Sequence, residues 1–249
     1  MRNIQSINEF WGAVIRRDMS SAVREEDKFH NYEELKEYLK KEIEKQGKHV
    51  VIKNLDVSGI DGFYKLFNQI LPSTVESLDL SGWNLSGVKD IKAMFWNCKN
   101  LKSLDLSGWN TSGVKDMSFV FSNCSKIKAL DVTGWKTDSV KNMRHMFNSC
   151  FDLEELDLSG WKTDNVEDMD NMFFNCTNLK SLNLSGWNVS NVCYMEYMFA
   201  YCKKLESLDL TGWELKSDWW SVKGMVDTSY MFDNCPAPYK VVDNEIVRE

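Results

Sequence analysis

Tryptophan recurs at Trp83, Trp109, Trp135, Trp161, Trp187 and Trp213, and every interval is 26. Cysteine keeps the same period at Cys98, Cys124, Cys150, Cys176 and Cys202, then takes one longer step to Cys235. A fixed period of this length marks a chain of stacked repeats, each too small to bury its own apolar face. The longer last step predicts a seven-residue insertion between Trp213 and Cys235, around Lys216 to Val222.

The unit Leu101 to Lys126 shows what each repeat contains. Alternation over Leu104-Asp105-Leu106 predicts a short strand with one buried face. Ser107-Gly108 breaks it, and glycine returns at Gly82, Gly134, Gly160, Gly186 and Gly212, which predicts positive φ or a close backbone approach. Val88, Ile91, Met94, Phe95 and Cys98 then lie at helical spacing, as do Val166, Met169, Met172, Phe173 and Cys176, which predicts a short amphipathic helix. Ser86, Ser112, Asp138, Asp164 and Ser190 stand two residues before its first valine as N-caps. A degenerate first unit is read from Leu55-Asp56-Val57-Ser58-Gly59, a little less than one period ahead of Leu78-Asp79-Leu80-Ser81-Gly82. The predicted fold is an α/β solenoid, a leucine-rich-repeat-like right-handed stack of about seven strand-turn-short-helix coils.

The string L-D-L-S-G-W-N-x-S-x-V-x-x-M-x-x-M-F-x-x-C, from about Leu78 to Cys235, resembles the BspA-like leucine-rich-repeat surface proteins, with the repeat of the same period also found in mycoplasma lipoproteins. The resemblance implies a bacterial or phage solenoid used for adhesion and protein binding. Its members are typically exported, whereas the start of this sequence has no apolar h-region and no small-residue cleavage site. That predicts a cytoplasmic protein, with the cell surface as the alternative.

Residues 1–54 lack the repeat and predict a helical N-terminal cap. It has one helix after Ser6-Glu9 and another from Tyr32 to Gln46, begun by Asn31 and ended by Gly47. Residues 55–235 form the solenoid. Residues 236–249, opened by Pro236 and Pro238, predict a hairpin with an Asp243-Asn244 turn. The net charge is −7, and residues 1–54 carry 11 Lys and Arg against 10 Asp and Glu, so the acidity lies in the repeats. This excludes nucleic acid as the main partner. No apolar run reaches ~18 residues, which excludes membrane insertion through a helix.

The cysteine period offers no C-x-x-C pair, so a reduced core ladder is predicted and no metal is expected. Cys193 lies off the ladder, at the predicted start of a helix, where a thiol pKa can fall. Asp79, Asp105, Asp131, Asp157 and Asp209 repeat on the strand. Each carboxylate either accepts from its own Ser/Thr-Gly turn or belongs to an acidic concave face for a protein with a basic surface. Tyr194, Tyr197 and Tyr201 fall outside the apolar stripe, with Phe174 one coil earlier and Trp219 and Trp220 in the insertion. Aromatics in such positions are interface anchors. His30, His49 and His145 have no motif partner, and no nucleotide, hydrolase or metalloprotease motif occurs. The predicted function is non-enzymatic protein binding without a cofactor, as an intracellular inhibitor or effector. A cell-surface adhesin exported by a non-classical route is the alternative.

Overall fold

The computed structural model describes residues 28–215, 226–242 and 245–248. The helix expected after Ser6, the insertion with Trp219 and Trp220, and the Asp243-Asn244 turn lie outside the described residues. Helix α1 (Tyr32–Gln46) begins at Asn31, whose side-chain oxygen accepts from the N–H groups of Glu33 and Glu34. That satisfies donors the first turn leaves unpaired. Leu35, Leu39 and Ile43 form its buried face.

Strands β1 (His49–Val51), β2 (Ser77–Asp79) and β3 (Ser103–Asp105) pair in parallel in that order. Between the first two lies a single helical turn, α2 (Leu66–Ile70). Further along, β4 (Ser181–Asn183) pairs in parallel with β5 (Ser207–Asp209). One coil makes one rung, so Leu78 opposes Leu104 and Leu182 opposes Leu208. Between the two sheets the same edge carries the isolated bridge Ala129–Glu155. The chain ends in an antiparallel hairpin, β6 (Tyr239–Val242) with β7 (Glu245–Arg248).

The core is a set of identical residues repeated in columns. The six repeat tryptophans stack with ring centroids 6.1, 6.1, 6.3, 6.4 and 6.3 Å apart. Beside them Phe67, Phe95, Phe121, Phe147, Phe173, Phe199 and Phe232 stack at 5.0 to 5.7 Å. Offset-parallel aromatic pairs add to the free energy of area burial. Indole Nε1 atoms donate to carbonyls of the preceding coil, for example Trp109 to Leu80 at 2.9 Å and Trp161 to Val132 at 3.1 Å. Trp135 departs from this, its buried Nε1 having no partner.

Beyond the single turn α2 in the first coil, the expected helix of each repeat does not form. From Ile91 to Cys98 the backbone is a run of turns whose N–H groups alternate in direction. Ile91, Ala93, Phe95 and Asn97 donate to Asp116, Ser118, Val120 and Ser122 of the next coil at 2.8 to 3.1 Å. Met94, Trp96 and Cys98 donate three residues back within their own coil. Met143 to Cys150 repeats the pattern. The price is backbone strain: two residues per coil take positive φ, as at Ala93 and Asn97 (55° and 65°) or Tyr197 and Tyr201 (55° and 61°). The physical reason is width. An α-helix is ~10 Å across, while strand-paired coils repeat every ~4.8 Å, so helices would force the other edge apart. Alternating turns keep the apolar residues inside and let both edges stack closely. With no helix there is no N-cap; instead Asn84, Asn110 and Asn188 accept from the backbone N–H of Ser86, Ser112 and Ser190.

The first unit is also displaced from its expected register. Val51, not Asp56, opposes Asp79, while Asp56 bridges to Asn84 and Phe67 stacks on Phe95. The step there is longer than the regular period, not shorter. Lys28 bridges to Asp56, so α1 stands where the next coil outward would place its turns. Of the recurring glycines, Gly82, Gly108 and Gly212 have positive φ. At Gly82 a Cβ would meet Asn54 Oδ1.

Candidate protein-binding surface

The acidic ladder is committed to its own turns. Asp79, Asp105, Asp131, Asp157 and Asp209 each accept from the N–H two residues on, at 2.9 to 3.1 Å. Asn183, which interrupts the series, does the same for Ser185 at 3.1 Å. For Asp157 these hydrogen bonds hold the carboxyl below the usual carboxylate range. Asp79 is fully buried, its Oδ2 2.8 Å from Lys53 Nζ, so it presents nothing to a partner. Asp131 and Asp157 are exposed; Asp105 and Asp209 are half-buried.

The tryptophan column near the strand edge is spaced more widely than the phenylalanine column on the turn side. The sheet is also interrupted in the middle coils, whereas turn-side bonds run through them at 2.7 to 3.1 Å.

The cysteine ladder lies in the core. Cys124, Cys150, Cys176 and Cys202 are buried and unpaired, and each Sγ donates to a phenylalanine carbonyl of the preceding coil at 3.0 to 3.2 Å. Burial pushes the Cys98 and Cys150 thiols up to about 12. Cys193 is half-buried, and its N–H donates to the Glu167 carbonyl in an extended rung. The helix start read at this position from the sequence is therefore missing. Among the described residues no group of three His, Cys, Asp or Glu side chains could hold a metal ion. No helix among them is long and apolar enough to cross a membrane.

Aromatics gather on the turn side of the last coils. Phe174 meets Tyr197 and Tyr201 edge-on, with centroids 6.2 and 5.5 Å away. Tyr197 stacks on Tyr230 at 4.9 Å. Tyr197 and Tyr201 are half-buried, while Tyr230 is 64% exposed. Tyr194 is 53% exposed and sits in a different column, bridging Asp168 and Asp227. The structure thus joins Phe174, Tyr197 and Tyr201 and adds Tyr230. Sequence reading missed Tyr230 because the insertion carries it past the place one regular period after Tyr197. The Cys202-to-Cys235 step held that signal.

Acidic groups border the cluster. Burial, then the neighbouring Tyr230, Glu196 and Asp233, push the Tyr197 hydroxyl above its ordinary pKa. A hydrogen bond shared with Asp227, then burial, raises Glu196. One coil earlier Arg144 Nη1 is 3.0 Å from Asp170 and 3.9 Å from Asp168, although burial still holds both carboxyls above the usual range. At the opposite end of the stack, Lys65 Nζ lies 4.3 Å from the Trp96 ring centroid and 5.0 Å from that of Tyr64.

The profile of a family described as "Mycoplasma protein of unknown function, DUF285" matches residues 61–156 and 151–240. Among solved structures, a leucine-rich repeat protein of T. pallidum is similar at 16% identity. The likeness covers 66% of this chain and 70% of that one, with a TM-score of 0.41. A chain of a TLR13–ssRNA13 complex is similar at 21% identity over 66% of this chain and 25% of that one, with a TM-score of 0.31. No curated protein matches.

Proposed function

The chain belongs to the DUF285 family of Mycoplasma proteins of unknown function, a repeat family of the BspA-like leucine-rich type, and from this we propose that it is a non-enzymatic protein-binding module. The observation that carries the reading is the aromatic cluster of Phe174, Tyr197, Tyr201 and Tyr230. It stands on the turn side of the stack, and three of its four members are held at positive φ. Bulky residues avoid that conformation, and strained positions gather where the surroundings fix them for use. Large amphipathic rings fixed before contact lose little conformational entropy on binding.

The test replaces Tyr197, Tyr201 and Tyr230 together by Asn, which the equivalent positions already carry at Asn171, Asn175 and Asn234. The expected result is loss of a captured native partner, each anchor contributing about 2 kcal/mol, with an unchanged melting midpoint. Retained capture would overturn the assignment. Unpaired cysteines support an intracellular inhibitor or effector; display as a surface adhesin is the competing reading, and fractionation of the native organism decides between them.

A further inference from the structure

The two ends of the turn-side face carry different aromatic contacts. Near α2, Trp96 is covered by the ammonium of Lys65, a cation held over an indole face by the ring quadrupole. Phe174 occupies the Trp96 column three coils later, where Tyr197 and Tyr201 of the next coil meet it edge-on and Tyr230 stacks on Tyr197. The carboxylates of Glu196, Asp227 and Asp233 stand beside this cluster. Among the described residues none of these three forms an ion pair, and the nearby Arg144 is taken by Asp168 and Asp170. Asp227 lies beside Glu196 and, ahead of burial, raises the Glu196 carboxyl above its ordinary pKa. Tyr230 ends the tyrosine stack: one face lies on Tyr197, and the ring is largely exposed.

We propose that this patch takes a basic segment of the partner protein, an arginine or lysine side chain lying over the Tyr230 ring beside Glu196 and Asp233. The proposal rests on the protein-binding reading of this surface and adds the chemistry of what binds. It moves the acidic contact from the strand-edge aspartates, which their own turns occupy, to carboxylates on the turn side.

The probe is a fluorescein-labelled Gly-Arg repeat nonapeptide, titrated with the full chain at low salt and followed by anisotropy. Its counterpart carries citrulline, a neutral isostere, in place of each arginine. The arginine peptide binds and the citrulline peptide binds at least tenfold more weakly. Tyr230→Leu weakens the arginine peptide about tenfold and Tyr230→Phe by less than twofold, because the interaction needs a ring and not a hydroxyl. Glu196→Gln with Asp233→Asn weakens it too, while Asp105→Asn, Asp131→Asn and Asp157→Asn together leave it within twofold. Equal binding of the two peptides, or an unaltered Tyr230→Leu, overturns the proposal; so does equal loss in the strand-edge variant. Should any of these occur while the triple Tyr-to-Asn variant still loses its captured protein, the protein-binding reading stands and only the basic segment falls.

Discussion

Replacing Trp135 and Trp161 separately by Phe isolates one hydrogen bond within a repeated environment. Both indoles are buried and lie between two tryptophan neighbours, at 6.1 and 6.3 Å for Trp135 and at 6.3 and 6.4 Å for Trp161, within 2° of parallel. The loss of ring area, of stacking and of packing volume is therefore common to the two variants. They differ at Nε1. Trp161 donates to Val132 at 3.1 Å, a bond contributing about 1 kcal/mol net. Removing it leaves no orphan, because the Val132 carbonyl still accepts from the Trp135 backbone N–H. Trp135 holds a buried donor without a partner, which costs about 1–3 kcal/mol and is removed by Phe. Trp161→Phe is thus expected to be more destabilising than Trp135→Phe, by about 2–4 kcal/mol. Urea unfolding followed by far-ultraviolet circular dichroism reads this from midpoints at unchanged slope, independently of the altered fluorescence. If the two costs agree within about 0.5 kcal/mol, the Trp135 indole is bonded in solution and the hydrogen-bond reasoning fails.

Three further outcomes are expected. Asn175 has φ of 61°; Asn175→Val costs about 1–2 kcal/mol, whereas Asn175→Gly stays near neutral, and equal costs would refute the strain. Asp157→Ala removes the acceptor of the Ser159 N–H and lowers stability by about 1 kcal/mol, while Asp157→Asn behaves like Asn183 and costs less than half of that. His145 is pushed down to about 4 by burial and then by Arg144, from an ordinary 6.5; the folded state keeps it neutral while the unfolded chain protonates, so its contribution is complete above pH 6.5 and lost as pH falls towards 4. Asp90, Asp168 and Asp170, raised by burial, act with the opposite sign in wild type and variant alike. His145→Asn, matching Asn171 one coil on, should therefore show a shallower acid loss, and an identical pH profile would exclude the assignment.

The tryptophan and cysteine periods made the stacking legible, because a column can form only if equal positions meet in every coil. The turn run was not legible. Val88, Ile91, Met94, Phe95 and Cys98 satisfy a helical period, and alternating turns bring the same residues inside. The choice between them depends on the distance between coils, which no single unit contains. Asn97, Asn123 and Asn175 were the local hint, since asparagine tolerates the left-handed region. The first coil was misplaced because Leu-Asp-Val-Ser-Gly copied the repeat motif in sequence, while Phe67 against Phe95 gave the true step. At the candidate surface, Tyr197, Tyr201 and Phe174 stood out as aromatics in place of polar residues. Their meeting with Tyr230 depended on pairing across an uneven step.

Among the described residues, the tryptophan and phenylalanine columns contact rings of the adjoining coils, within and between the columns. Stability is then nearly a sum of neighbour contacts, and such a sum carries no record of total length. Excising one period from the middle, such as residues 127–152, would rejoin like to like and leave every surviving junction unchanged. Duplicating a period would lengthen the molecule on the same terms. A gene of this kind can gain or lose reach in whole units by a single unequal exchange, without repacking its interior.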